Sequence, residues 1–470
     1  MRVSSMAVRS LRSLHSARSL RSLVRLVGLP STVVAASLCF GLACGGTADG
    51  GNGQPPAPAP GATNDAGAVD AGEVEAAAPV RDAGPDVDNG APSETYPAPH
   101  PAVPELVSSG GPVLKTPKVV PIFFPAYAYK TQILDYVAKL GATPFWKANV
   151  DEYKVGALSA GTAVELTETP PTAITDQEIQ TWLAAKLDGT HPEFGTPDEQ
   201  TIYTIYYPPT TVIDLGQGGP GGGSSKSCVA FGGYHENIVV GTKNIAYAVI
   251  PQCATFHALA GIDVVTGTSS HEWLEAATDP YPSSNPAYGG VDDDHLVFQF
   301  ALGGGENGDL CAQYDSSFYK PAGFDYIVQR SWSNIAATAG HDPCVPGLQG
   351  QAYFNSAPVL NEPIHLAFGG QGIDTKGVHI AVGASKTIEV VLYSDAKTSA
   401  PWTVAAREPS RGGVSPATLD FKWDRTTGVN GEKLHVTITA LKASTYKASS
   451  FIIVSSLGTQ KAYWAGLVQN

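Results

Sequence analysis

Residues 269–280 read Ser269-Ser270-His271-Glu272-Trp273-Leu274-Glu275-Ala276-Ala277-Thr278-Asp279-Pro280. The composition is helical, and Pro280 stops the helix because it has no amide to donate and its ring clashes with the preceding turn. His271 and Glu275 are four residues apart, so they share a face one turn from each other. An imidazole and a carboxylate so placed can hold a divalent metal, with Glu272 projecting to one side of the pair. The same string also fits a surface helix whose carboxylates are simply solvated, so the rest of the chain has to decide.

The spacing is that of the H-E-x-x-H metalloprotease helix with Glu275 in place of the second histidine. In that reading a Zn2+ ion lowers the pKa of a water and polarises a carbonyl, and Glu272 takes the proton as general base. A third ligand is offered by Glu306-Asn307-Gly308-Asp309-Leu310-Cys311, which begins 31 residues beyond Glu275 in a glycine-rich loop pinned by Cys311. The expected metal ligands are therefore His271, Glu275, Glu306 and Asp309. Tyr234-His235, shortly after Cys228, places an imidazole in an otherwise apolar region. His235 is read as a catalytic helper beside Glu272 or as a ligand, with a hydrogen-bonded buried histidine as the alternative. Asp292-Asp293-Asp294 is a compact acidic run; Ca2+ is conceivable there, but no EF-hand spacing accompanies it and a solvated loop is the simpler expectation.

Six arginines and no acid precede residue 45, followed by an apolar run from about Leu26 to Ala43. This is the layout of a secretory signal, too short and too broken by Pro30 for a membrane span. Gly41-Leu42-Ala43-Cys44 looks like a lipobox, with free secretion as the alternative to lipidation of Cys44. Removing six arginines from 29 basic residues leaves 23 against 43 acidic ones, a net −20. Such a surface repels nucleic acid and anionic membranes. Four cysteines remain beyond residue 44, an even number that reads as disulfides in an exported chain. Cys228–Cys253 and Cys311–Cys344 are preferred because sequence neighbours close the smaller loops. Neither a G-x-S-x-G elbow nor a P-loop is found, since Ser225 stands where a glycine must precede Lys226.

Residues 45–104 are rich in Gly, Ala, Pro and Asp and poor in large apolar side chains, which predicts a disordered linker. Residues 105–348 show mixed α and β patterns. Val119 to Phe124, Thr201 to Tyr207 and Asn244 to Ile250 read as strands, Thr131 to Leu140 as an amphipathic helix. Thr175 with Glu178 forms a capping box opening a helix over Asp176–Leu187. Gly216 to Gly223 reads as a flexible loop. In residues 349–470 the period changes to two. Ile388, Val390 and Leu392 form one alternating row; Leu434, Val436 and Ile438 form another after an Asn430-Gly431 turn. The expectation is an α+β zincin-like domain followed by an all-β immunoglobulin-like sandwich. Trp402, Trp423 and Trp464 would serve a carbohydrate-binding surface if exposed, and the core if not.

Gly110-Gly111-Pro112-Val113-Leu114, Gly233-Tyr234-His235 and Ser270-His271-Glu272 with Glu275 and Thr278-Asp279-Pro280 together resemble the phosphate-induced/EXORDIUM-like family. Bacterial secreted relatives pair S-H-E-x-x-E-A-x-T-D-P with a downstream E-x-G-D-x-C, which stands here at Glu306 to Cys311. Val328-Gln329-Arg330-Ser331-Trp332-Ser333-Asn334 is similar to their closing segment. The resemblance spans roughly residues 105–345 and implies an extracytoplasmic protein with a zincin-like helix. It leaves activity open, because plant members are discussed as cell-wall growth proteins. The functional expectation is an exported metal-dependent hydrolase acting on extracellular protein or peptide as a monomer, touching membrane only through a lipid anchor. The alternative is a non-catalytic cell-surface or adhesion protein.

Overall fold

A computed structural model describes residues 88–216, 224–368, 371–409, 417–444 and 447–470. The signal segment, the lipobox, residues 45–87 and most of the Gly216 to Gly223 loop lie outside them.

The first sheet is built from strands that the apolar runs predict. Strand β1 (Lys118–Phe123) precedes helix α1 (Lys130–Leu140), whose Ile133, Tyr136, Val137 and Leu140 are buried as the 3.6-residue spacing demands. Helix α2 (Asp176–Lys186) opens with the full capping box, Thr175 and Glu178 each satisfying the other's backbone amide. Strand β2 (Thr201–Tyr207) is buried along its whole length. Strands β3 (Tyr234–Val240) and β4 (Lys243–Pro251) form a hairpin at the sheet edge. Strands β1, β2 and β4 run parallel, and β3 is antiparallel to β4, giving the order β1-β2-β4-β3. Both faces are covered, so β2 sends Ile202 and Tyr206 into one apolar cluster and Tyr203, Ile205 and Tyr207 into another.

Helix α3 (Ile262–Thr278) lies on one of these faces and is buried almost all round; of residues 264–278 only His271 is not fully buried. Three polar anchors fix its rotation. Trp273 Nε1 donates to Thr204 Oγ1 at 2.8 Å, Tyr206 Oη meets Ser269 Oγ at 3.1 Å, and Tyr136 Oη donates to the Thr266 carbonyl at 3.0 Å. With Trp273 held against the sheet, His271 and Glu275 turn toward the side that the downstream loop covers. Helix α4 (Val297–Leu302) ends at Gly303 with φ 107°, and the glycine-rich turn leads into the short helix α5 (Asp309–Ala312). The disulfides Cys228–Cys253 and Cys311–Cys344 are formed, as the spacing favoured.

From Phe354 on, two sheets face each other. One has the order β5-β8-β12-β10: β5 (Phe354–Pro358), β8 (Ser385–Ser394), β12 (Lys433–Ala440) and β10 (Leu419–Trp423). The other comprises β6 (Glu362–Phe368), β7 (Gln371–His379), β9 (Trp402–Arg407), β11 (Thr427–Gly428), β13 (Ala448–Leu457) and β14 (Gln460–Gln469). Strand β12 alternates strictly, with Leu434, Val436, Ile438 and Ala440 inward. The predicted β-sandwich is therefore present. Trp402 and Trp464 are core residues and Trp423 is half-buried against the core, which removes most of the aromatic surface a carbohydrate site would need. Phe298 and Tyr314 stack on Trp464 and Tyr463, so one apolar core continues from the first part into the sandwich.

The linker expectation fails at its C-terminal end. Residues 88–104 lie along the sandwich: Asn430 donates to the Ser93 and Thr95 carbonyls and accepts from Ala98 N–H, while His100 stacks on Tyr393 at 4.0 Å. Composition alone hid this, because the segment is held by its backbone groups rather than by apolar side chains.

Candidate metal centre

Four pieces of chain meet at the open side of α3. The helix brings His271, Glu272 and Glu275, and its end brings Asp279. Edge strand β3 brings His235, and the glycine-rich loop brings Glu306 and Asp309. Among the described residues, two sets offer ligand atoms within 4.8 Å of one another: His271, Glu275 and Asp309, and His235, Glu275 and Glu306.

The first set joins three of the four ligands expected from sequence. His271 Nε2 lies 3.1 Å from Glu275 Oε2 and 3.7 Å from Asp309 Oδ1. Donors about 2.0–2.2 Å from a tetrahedral zinc stand about 3.4 Å apart, so these separations fit a shared cation. Gln329 holds the imidazole from behind. Its Nε2 donates to the Gly308 carbonyl at 2.7 Å, which leaves Oε1 to accept from His271 Nδ1–H at 3.0 Å. Nε2 of His271 is thereby turned toward the acids, the arrangement that orients metal-ligating histidines. Asp309 N–H donates to Glu275 Oε1 at 3.0 Å, so the loop backbone fixes the carboxylate too.

Glycine is needed for that approach. A Cβ on Gly308 would stand 2.8 Å from both Glu275 Oε1 and His271 Nδ1, and one on Gly304 only 1.8 Å from Asp309 Oδ2.

Glu306 does not close on His271. It faces His235, with Oε1 3.5 Å from His235 Nε2, and that oxygen is buried without a hydrogen bond. Glu272 also turns to His235, Oε2 lying 3.5 Å from Nδ1. His235 is thus a central member of the cluster and not a remote helper. The Asp279 carbonyl lies 3.2 Å from its Nε2, and the fully buried Asp279 carboxylate leaves Oδ2 unpartnered after accepting from Ala287 N–H.

Five carboxyl groups crowd around two imidazoles, and their proton affinities show the strain. Burial and the charge of Glu275 push Asp309 up to about 8, and burial pushes Asp279 up to about 6. Burial and Glu275 also raise Glu306 far above the carboxylate range, and burial raises Glu272. Burial opposes ionisation of Glu275 as well, yet the neighbouring imidazoles hold its carboxyl below the usual range. Burial works against protonation of both histidines, but the surrounding acids more than offset it; His235 rises to about 9 and His271 well above 6.5. A divalent cation relieves this excess of acids, and the donor set of imidazole nitrogens and carboxylate oxygens suits zinc.

Asp292, Asp293 and Asp294 do not converge in this way. Asp292 caps its own turn and accepts from Glu105 N–H, and Asp294 pairs with Lys376 at 3.4 Å. Gln329 and Asp279 are the members that residue typing alone did not select. Both lie inside quoted motifs, but nothing in a single sequence distinguishes their roles from packing.

No protein-family model matches the chain, and no curated protein does. Among solved structures, the chain is similar to the titin M10–obscurin-like 1 Ig complex (16% identity over 24% of this chain and 94% of that one, TM-score 0.14). It is also similar to domains 4 and 5 of the S-layer protein SbsC (14% identity, 31% and 81% covered, TM-score 0.15) and to the titin M3 domain (7% identity, 24% and 97%, TM-score 0.14).

Proposed function

We propose that the chain is an exported, zinc-dependent hydrolase of peptidase type with a zincin-like helix, in which His271, Glu275 and Asp309 hold the metal and Glu272 is the general base. The convergence of an imidazole and two acids from helix and loop, with a further buried acid one residue along, carries this reading. When bound, zinc supplies Lewis acidity, making a water nucleophilic near neutral pH and polarising an amide carbonyl.

The chain's own residues do the rest. Burial brings the Glu272 carboxyl toward the operating pH, which is what a proton acceptor and later donor to the leaving amine needs. Gln329 keeps His271 in the tautomer that presents Nε2. The Cys311–Cys344 bridge ties down the loop that carries Glu306 and Asp309; closing a loop of 33 residues is worth about 3.7 kcal/mol by chain entropy. Both disulfides accord with an oxidising compartment, and no helix among the described residues is long and apolar enough to cross a membrane. Export through the N-terminal signal, with lipidation at Cys44, belongs to the same proposal, and extracellular protein or peptide is the substrate class.

One observation favours a second reading, a cell-surface protein whose cation is structural: Glu272 is only 3% exposed. Glu272→Gln separates the two. Incubation with a denatured-protein peptide mixture, read by mass spectrometry, should show zinc-dependent cleavage by the wild type. The variant should cleave nothing while keeping its zinc. Equal cleavage by the variant ends the catalytic assignment, and chelator-sensitive melting without any cleavage establishes the structural reading.

A further inference from the structure

His235 repeats the pattern of His271 on the opposite side of Glu275. Each imidazole has Nδ1 facing a fixed oxygen, Gln329 Oε1 at 3.0 Å for His271 and Glu272 Oε2 at 3.5 Å for His235. Each turns Nε2 toward a loop acid, Asp309 at 3.7 Å and Glu306 at 3.5 Å. Glu275 Oε2 stands between them, 3.1 Å from His271 Nε2 and 3.7 Å from His235 Nδ1. Two further features mark the His235 side as a place for a ligand. Glu306 Oε1 is buried and accepts no hydrogen bond, and the fully buried Asp279 keeps Oδ2 unpartnered, its charge acting on His235, Glu275 and Glu306. An unmet buried acceptor costs about 1–3 kcal/mol, more when charged, and two in one place call for a cation.

We infer that the centre takes a second divalent cation, held by His235, Glu306 and the shared carboxylate of Glu275. The site is then a two-cation centre bridged by Glu275, the arrangement in which ions about 3.5–4 Å apart clamp both the attacking and the leaving atoms of a hydrolysed bond. Nitrogen donors select a transition-metal ion over calcium or magnesium. This inference rests on the proposed His271–Glu275–Asp309 site for its first ion.

The full chain, freed of metal by chelator and titrated with Zn2+ against a chromophoric chelator, should take up two equivalents. Glu306→Gln should take up one, at the His271 side, and Asp309→Asn should also lose one. Loading with Mn2+ should give an exchange-coupled EPR signal in the wild type and an isolated-ion signal in Glu306→Gln. Near-UV circular dichroism of the metal-free variants establishes that the fold is kept; should Glu306→Gln unfold, the wild-type stoichiometry and EPR signal alone decide. One equivalent in the wild type, or two retained in a folded Glu306→Gln, overturns the second site and leaves the first standing. No uptake by the wild type overturns both.

Discussion

Replacing Gln329 by methionine removes the group that holds His271 while nearly keeping the side-chain volume. Gln329 is 1% exposed, so no water is at hand to take its place. Its Oε1 is the acceptor for His271 Nδ1–H, and its amide donates to the Gly308 carbonyl. Removing an orienting partner of this kind costs roughly tenfold to a hundredfold in metal affinity, about 1.4–2.7 kcal/mol. The unsatisfied Nδ1–H and Gly308 carbonyl cost about 1–3 kcal/mol each in stability, which a domain stable by about 5–15 kcal/mol survives in most cases. The assay is Zn2+ competition against a chromophoric chelator at neutral pH, with circular dichroism confirming the fold. Gln329→Glu keeps the acceptor and loses only the donor to Gly308, so its affinity should stay close to that of the wild type. A folded Gln329→Met that binds zinc as tightly as the wild type refutes the assignment of His271 as an oriented ligand.

Gly304→Ala should drive the Asp309 carboxylate aside, since the new Cβ would stand 1.8 Å from Oδ2; zinc affinity falls while the metal-free melting temperature holds, and unchanged affinity counts against Asp309. The pH dependence of metal-free stability has a definite sign. Asp309 and Asp279, pushed by burial to about 8 and about 6 from 3.8, and His235, raised to about 9 from 6.5, all bind protons more tightly folded than unfolded. Their stabilisation is complete below the ordinary values and is lost as pH rises, across about 4–8 for the acids and 6.5–9 for His235. The metal-free melting temperature should therefore fall from mildly acidic to mildly alkaline pH, and saturating zinc should reverse the slope because binding displaces those protons. A flat profile in both states would show that the cluster does not titrate as a unit.

Much of the scaffold was readable because its signals are local. The row Ile133, Tyr136, Val137 and Leu140, the run Thr201–Tyr207 and the Thr175–Glu178 box each declare their structure within a dozen residues. The alternation in Leu434, Val436 and Ile438 did the same for the sandwich. Strand β3 was not readable, because Tyr234-His235-Glu236-Asn237 lacks apolar alternation; its polar side chains are spent on the cluster and on Ser283 and Ser284. At the site, the i,i+4 pair His271 and Glu275 followed from helix geometry alone. The division of the loop acids did not. Whether Glu306 or Asp309 reaches His271 depends on how the chain from Gly303 to Gly308 crosses α3, and glycines leave that path to tertiary contacts such as the Asp309 N–H bond to Glu275.

The most direct measurement is a zinc-edge anomalous difference map from crystals grown with Zn2+. A peak within about 2.0–2.2 Å of His271 Nε2, a Glu275 carboxylate oxygen and Asp309 Oδ1 is the predicted result. Density with no peak there, and with His271 hydrogen-bonded directly to Glu275 in zinc-saturated crystals, would contradict it.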